Sequence, residues 1–146
     1  LQVEAAPTPD SAKVFELEFW LVHRDPAGKE TTQRQVVRTS SLAAEFYFDD
    51  LKIDTDKGSV TVEVYGSTSP PQAYSDGRIA FNMQAHRRYL TNAPAMGWKT
   101  KEGDTSYGGA RNAGEVVAYQ LTPLPDDGGA FVGHRFSLRV RARVLQ

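Results

Sequence analysis

The sequence predicts an all-β protein, an antiparallel β-sandwich of about seven or eight strands. Three observations predict it. Apolar residues recur at every second position in segment after segment from Lys13 onward. Clusters of glycine, proline and aspartate punctuate those segments. No segment carries a 3.6-residue apolar period with capping residues, so helices are not expected.

In KVFELEFWLV, Phe15, Leu17, Phe19 and Leu21 share one face, and Glu16, Glu18, Trp20 and Val22 share the other. RDPAGK follows as a turn, with proline presetting the first central position and glycine tolerating the exit. ETTQRQVVRTSSL, residues 30–42, is polar on both faces, which suits a sheet edge. In EFYFDDLKI, Phe46 and Phe48 fall on one phase while Leu51 and Ile53 fall on the opposite one. An inserted residue near Asp49–Asp50 restores all four to one face, which predicts a β-bulge or a break there. Val60, Val62 and Val64 then alternate with Ser59, Thr61, Glu63 and Tyr65, the cleanest amphipathic strand in the middle of the chain.

STSPPQAYSDG reads as a long loop, because paired prolines cannot join a central ladder. RIAFNMQAHRRYL resumes the strand pattern with Ile79, Phe81, Met83 and Ala85 inward. Residues 91–114 hold five glycines without sustained periodicity and read as an extended loop. EVVAYQLTPL and HRFSLRVRARVL complete the domain. The last segment sets Phe136, Leu138, Val140, Ala142 and Val144 against Ser137, Arg139, Arg141 and Arg143. If the first and last strands pair, Glu16 and Glu18 face those arginines across the ladder.

The length of 146 residues fits one domain with a substantial core. The expected organisation is a flexible N-terminal leader over 1–12, polar and proline-containing, followed by a single sandwich domain over 13–146. Such a leader, read as following a removed export signal or a cut boundary, makes an extracytoplasmic location the expectation. The absence of cysteine excludes disulfides, thiolate metal sites and a cysteine nucleophile. It also removes the Cys…Trp…Cys pattern of many immunoglobulin domains, so an Ig-like or jelly-roll-like description refers to architecture alone. No run is long and apolar enough to span a bilayer. A net charge of -1 supplies no global attraction for nucleic acid or an anionic membrane.

DDLKIDTDKGSVTVEVYG, residues 49–66, crowds acidic residues around a glycine. An EF-hand loop needs oxygen ligands at its positions 1, 3 and 5, glycine at 6 and glutamate at 12. A frame starting at Asp54 puts Gly58 at the fifth place and Tyr65 at the last, and the frame that centres Gly58 offers Ile53, Thr55 and Lys57 as ligands. Both frames fail. The better reading is a hairpin turn of Thr55, Asp56 and Lys57, with Gly58 in a left-handed conformation. HRDPAGKE contains a His-Arg-Asp triplet but none of the other protein-kinase signatures, and a turn explains it. His23, His86 and His134 show no familiar metal spacing, and no GxSxG marks a nucleophile. A hydrolase needs a clustered carboxylate or His/Asp pair that the residue order does not disclose.

The 91–114 segment is the best site candidate, because long irregular loops in compact domains tend to be functional. It offers Trp98, Lys99, Tyr107 and Arg111 as ligand-binding residues: aromatic rings to stack or anchor, charged groups to orient. The reading that competes with it has Trp98 folded back as a plug for the end of the sandwich. These features support a non-enzymatic interaction or assembly module without cofactor or metal. It would engage a protein partner through the 30–42 edge or the 91–114 loop. The alternative is a carbohydrate-binding module in which Trp98, Tyr107 and Tyr74 stack on sugar rings.

Overall fold

A computed structural model of the chain describes residues 13–40, 42–121, 129 and 131–145, and the expected leader over 1–12 lies outside them. The described residues form eleven strands in chain order: β1 (Phe15–Arg24), β2 (Glu30–Thr39), β3 (Glu45–Thr55), β4 (Gly58–Thr68), β5 (Gln72–Ala73), β6 (Arg78–Ala80), β7 (Met83–Leu90), β8 (Thr100–Tyr107), β9 (Ala110–Asn112), β10 (Val116–Leu121) and β11 (Arg135–Val144). One four-stranded sheet has the order β10-β11-β1-β2, a second has β3-β4-β7-β8, and the three shortest strands form a small sheet β5-β6-β9. Neighbouring strands run antiparallel throughout. The all-β class is as the alternation implies, and the two larger sheets together hold eight strands.

Period-2 alternation builds the core directly. Phe15, Leu17, Phe19 and Leu21 of β1 and Phe136, Leu138, Val140 and Ala142 of β11 are all buried from the first sheet. Phe46, Phe48, Leu51 and Ile53 of β3 and Val60, Val62 and Val64 of β4 are buried from the second. The two layers meet where the Phe19 and Phe46 rings stack with centroids 4.6 Å apart. Each of these Val, Leu, Ile and Phe side chains contributes about 1.5–3 kcal/mol on burial. Phe48 pairs with Val64 and Leu51 with Val62, so Asp49 and Asp50 together oppose the single residue Glu63. That is the bulge expected from the phase slip, and it keeps all four apolar residues inward.

The turn after β3 is tighter than expected. Thr55 pairs with Gly58 across a two-residue connection of Asp56 and Lys57. The Thr55 hydroxyl donates to the Gly58 carbonyl at 2.8 Å and accepts from the Lys57 N–H at 3.1 Å. Gly58 has φ +137°, positive as expected but beyond the left-handed helical basin.

Three segments differ from the sequence reading, the first being STSPPQAYSDG, whose expected loop contains the end of β4 and the short strand β5, which pairs with β6. The single strand expected from Arg78 to Leu90 breaks at Phe81–Asn82, where β6 pairs in the small sheet and β7 enters the large one. The Ser69 N–H and Asn82 carbonyl (2.7 Å) and the Asn82 N–H and Ser69 hydroxyl (2.9 Å) hold that crossing point. Residues 91–114 are largely ordered structure rather than loop, with a 3-10 turn at Pro94–Met96 followed by β8 and β9. Thr100, Glu102, Asp104 and Ser106 of β8 face out, while its other face carries Lys101, Gly103, Thr105 and Tyr107. Polar residues on both faces leave no apolar alternation to read; the free edge of β7 supplies the ladder.

Gly66 shows how closely the second sheet packs. A Cβ there would lie 1.8 Å from the Gln84 carbonyl oxygen and 3.0 Å from the Phe46 ring. Gly66→Ala is expected to force β4 and β7 apart and to cost at least the 1–3 kcal/mol, roughly, of an overpacked core. A urea unfolding midpoint equal to wild type would contradict this.

Candidate interaction surfaces

The outward residues of β1, β2 and β11 form one surface. Glu16 and Glu18 of β1 are buried there although they point away from the core. Arg38 from β2 and Arg143 from β11 close on Glu16, their Nε atoms 3.0 and 2.8 Å from its two carboxylate oxygens. Arg34 and Arg141 close on Glu18 in the same way, each Nε at 2.9 Å. The Arg141 guanidinium also lies 5.7 Å from the centroid of Trp20.

The hydrogen bonds from Arg143 and Arg38 hold the Glu16 carboxyl below the usual carboxylate range. Burial is the largest influence on Glu18 and opposes ionisation, but the hydrogen bonds and charges of Arg141 and Arg34 together outweigh it. The arginines remain substantially exposed, Arg38 at 67% and Arg34 at 57%, so their outer N–H groups face solvent. Arg24, Arg135 and Arg139 lie on the same face. Arginine therefore outnumbers glutamate seven to three on this face, Glu30 being the third glutamate.

The outer face of the β3-β4-β7-β8 sheet is opposite in character. Glu45, Asp49, Asp50 and Asp54 of β3 are exposed, and Glu63 of β4 and Glu102 and Asp104 of β8 join them. Lys52 and Arg88 are the basic residues on this face, with Arg88 3.8 Å from Glu63. A row of rings crosses it: Tyr47 to Tyr65 at 5.4 Å and Tyr65 to His86 at 4.8 Å. His86 ends the row with Nδ1 2.5 Å from Asp104 and Nε2 3.1 Å from Glu102. Burial lowers the His86 pKa, but those two carboxylates more than reverse it and raise it overall.

The residues expected to bind ligand do not converge. β8 runs between Trp98 and Tyr107, and its seven steps alone span about 23 Å. Trp98 packs against the core, its ring 6.4 Å from Phe131. Lys99 lines an open cleft with Lys52, Thr61 and Asn92. Tyr107 stacks on Tyr119 at 4.4 Å. Arg111 is only 5% exposed, with its guanidinium 4.1 Å from the Phe81 ring and 5.7 Å from Tyr119. Its Nε and Nη1 have no hydrogen-bond partner, so the aromatic faces carry much of the compensation for burying the charge. Tyr74 is exposed beside a cleft of about 390 Å³ and lies under Arg78.

Besides His86 with Asp104 and Glu102, folding brings together another pair that the residue order did not disclose. His23 Nε2 and His134 Nδ1 are 2.9 Å apart, and both rings are buried. Burial first, then the charge of His134, pushes the His23 pKa down against Asp25. A hydrogen bond between the two rings has one nitrogen donating and the other accepting. Among the described residues, no three His, Asp or Glu side chains are grouped to hold a metal ion. In the acidic turn itself, Asp54 accepts a 2.6 Å hydrogen bond from the Ser59 hydroxyl.

Neither a family model nor a curated protein matches the chain. Among solved structures, the chain is similar to the secretin InvG of the Salmonella SPI-1 type III secretion injectisome in the open gate state. The identity is 11% and the TM-score 0.42. The likeness covers 90% of this chain and 55% of the other, so this chain spans about half the length of that one. A likeness of that degree carries no functional argument.

Two pH dependences follow from the surface groups. Unfolded glutamate titrates near about 4.3. With folded values lower, the stabilisation from Glu16 and Glu18 is complete above that pH and is lost as pH falls through the folded values. Replacing both by glutamine is expected to lower the melting temperature at neutral pH and to flatten its decline in acid. His86 acts in the other direction. Its folded pKa is raised, so its stabilisation is full below the unfolded value near about 6.5 and fades as pH rises through the folded one. The melting-temperature gap between wild type and His86→Gln should therefore narrow from mildly acidic to alkaline pH; a gap that widens would contradict the assignment.

Proposed function

We propose that this domain is a non-enzymatic interaction module, and that it binds an acidic protein surface through the arginine face of its β10-β11-β1-β2 sheet. One observation carries the reading: seven arginines against three glutamates occupy a single sheet face of a chain whose net charge is only -1. Two of those glutamates are buried beneath the arginines, which holds the guanidinium groups in place. A guanidinium held in this way has less freedom to lose on binding, and its planar fork matches a carboxylate. Trp20, Val36 and Val116 add apolar area among the charges.

The exposed 30–42 edge expected from the sequence corresponds to β2, which pairs with β1 on one side only. On its other side Gln35 of β2 accepts a 2.8 Å hydrogen bond from the Tyr47 N–H of β3. That contact favours the face over the edge as the binding element.

The test uses polyglutamate as a probe of an acidic polypeptide. The full chain is expected to bind it at low ionic strength and to release it as salt rises. An Arg135→Glu, Arg139→Glu variant should lose on the order of tenfold in affinity. Asp49→Lys, Asp50→Lys on the opposite face should leave affinity no weaker. Equal binding by wild type and the arginine variant, or no binding at low salt, would overturn the proposal.

A further inference from the structure

We infer that the acidic surface this face accepts is the outer β3-β4-β7-β8 face of a second copy of the same chain, so that copies stack face to back. The inference rests on the arginine-face reading above and names its partner. The two broad faces of one sandwich carry opposite charge, arginine in excess on one and carboxylate on the other. The net charge of -1 is the near-cancellation of two separated surfaces, not the sum of an evenly mixed one. Each face has four strands, so the footprints match in size.

The uncharged content also matches. Tyr47 is 54% exposed and forms a row with Tyr65 and His86, while Trp20 lies among the arginines of the other face. Tyrosine, tryptophan and arginine are the residues that protein interfaces favour, and a guanidinium stacks well on a tyrosine face. At the bulge, Asp49 and Asp50 oppose Glu63, and the basic group nearest Glu63 is Arg88 at 3.8 Å. Arginines from a neighbouring copy would relieve that like-charge repulsion.

Such a contact joins two different surfaces, so every added copy leaves one free face at each end of the stack. The series grows or closes into a ring according to the rotation between neighbours. Four strands of about ten residues give roughly 600 Å² a side, or about 1,200 Å² in total. That is the lower end for specific interfaces, and it predicts reversible, salt-sensitive assembly.

Sedimentation equilibrium of the full chain over a concentration series tests this. Wild type is expected to show a mass that grows with concentration at low salt and returns to monomer at high salt. Asp49→Lys, Asp50→Lys and Arg135→Glu, Arg139→Glu should each remain monomeric under the same conditions. Mixed in equal amounts, each supplies the intact face the other needs, so they should associate to a mass of at least twice the monomer under conditions where neither does so alone. Wild-type unfolding midpoints for both variants establish that they fold. The milder Asp49→Asn, Asp50→Asn and Arg135→Gln, Arg139→Gln forms should weaken assembly without abolishing it. A wild type that stays monomeric, a mixture that does not pair, or a variant that assembles like wild type overturns the inference. If wild type is monomeric but still binds polyglutamate through its arginines, the arginine-face reading stands and the partner is a different acidic protein. If both fail, the face is not a binding surface.

Discussion

The structure depends on β1 being covered on both sides. Its odd-numbered residues, Phe15 to Leu21, are sealed in the core, and its even-numbered Glu16 and Glu18 are sealed beneath arginines. Each glutamate receives one arginine from β2 and one from β11, so a carboxylate ties three strands across two ladders. A carboxylate buried without such partners would carry a heavy desolvation penalty. The arginines in turn keep their outer edges in water, which lets a charged surface be rigid and solvated together.

From that constraint the character of the outer faces follows. A strand that commits alternate residues to the core commits the rest to one plane, and antiparallel neighbours align those planes. Arginines from β2 and β11 therefore gather over β1, and carboxylates from β3, β4 and β8 gather on the far side. The bulge at Asp49–Asp50 belongs to the same logic: it returns Leu51 and Ile53 to the core and leaves both aspartates in solvent.

Much of this was legible because alternation is local. The phase slip in EFYFDDLKI showed the bulge, and the alternation in KVFELEFWLV and HRFSLRVRARVL set Glu16 and Glu18 on one strand face and Arg139, Arg141 and Arg143 on another, to meet only if those two strands paired. The polar segment 30–42 showed an edge. Less visible were β8, whose pairing is decided by the edge of β7, and the sheet change at Phe81–Asn82, which leaves Ile79, Phe81 and Met83 buried on either side of the break. Trp98 and Tyr107 look close in sequence yet stand at opposite ends of β8, since nearby residues in a loop become distant ones in a strand. His23 and His134 are the converse, 111 positions apart in sequence and hydrogen-bonded in space.

The sequence by itself determined the all-β class, which side chains share a face of each strand, and most of the core, because these follow from a two-residue period within a single segment. Only the tertiary structure decided which segments became neighbours. Glu18 and Arg141 are 123 residues apart, and nothing in the local spacing of either requires that they meet. Strand order is set by the free energy of whole sheets packed against each other, in which every ladder and every buried side chain counts at once. The division into an arginine face and a carboxylate face is a property of that order.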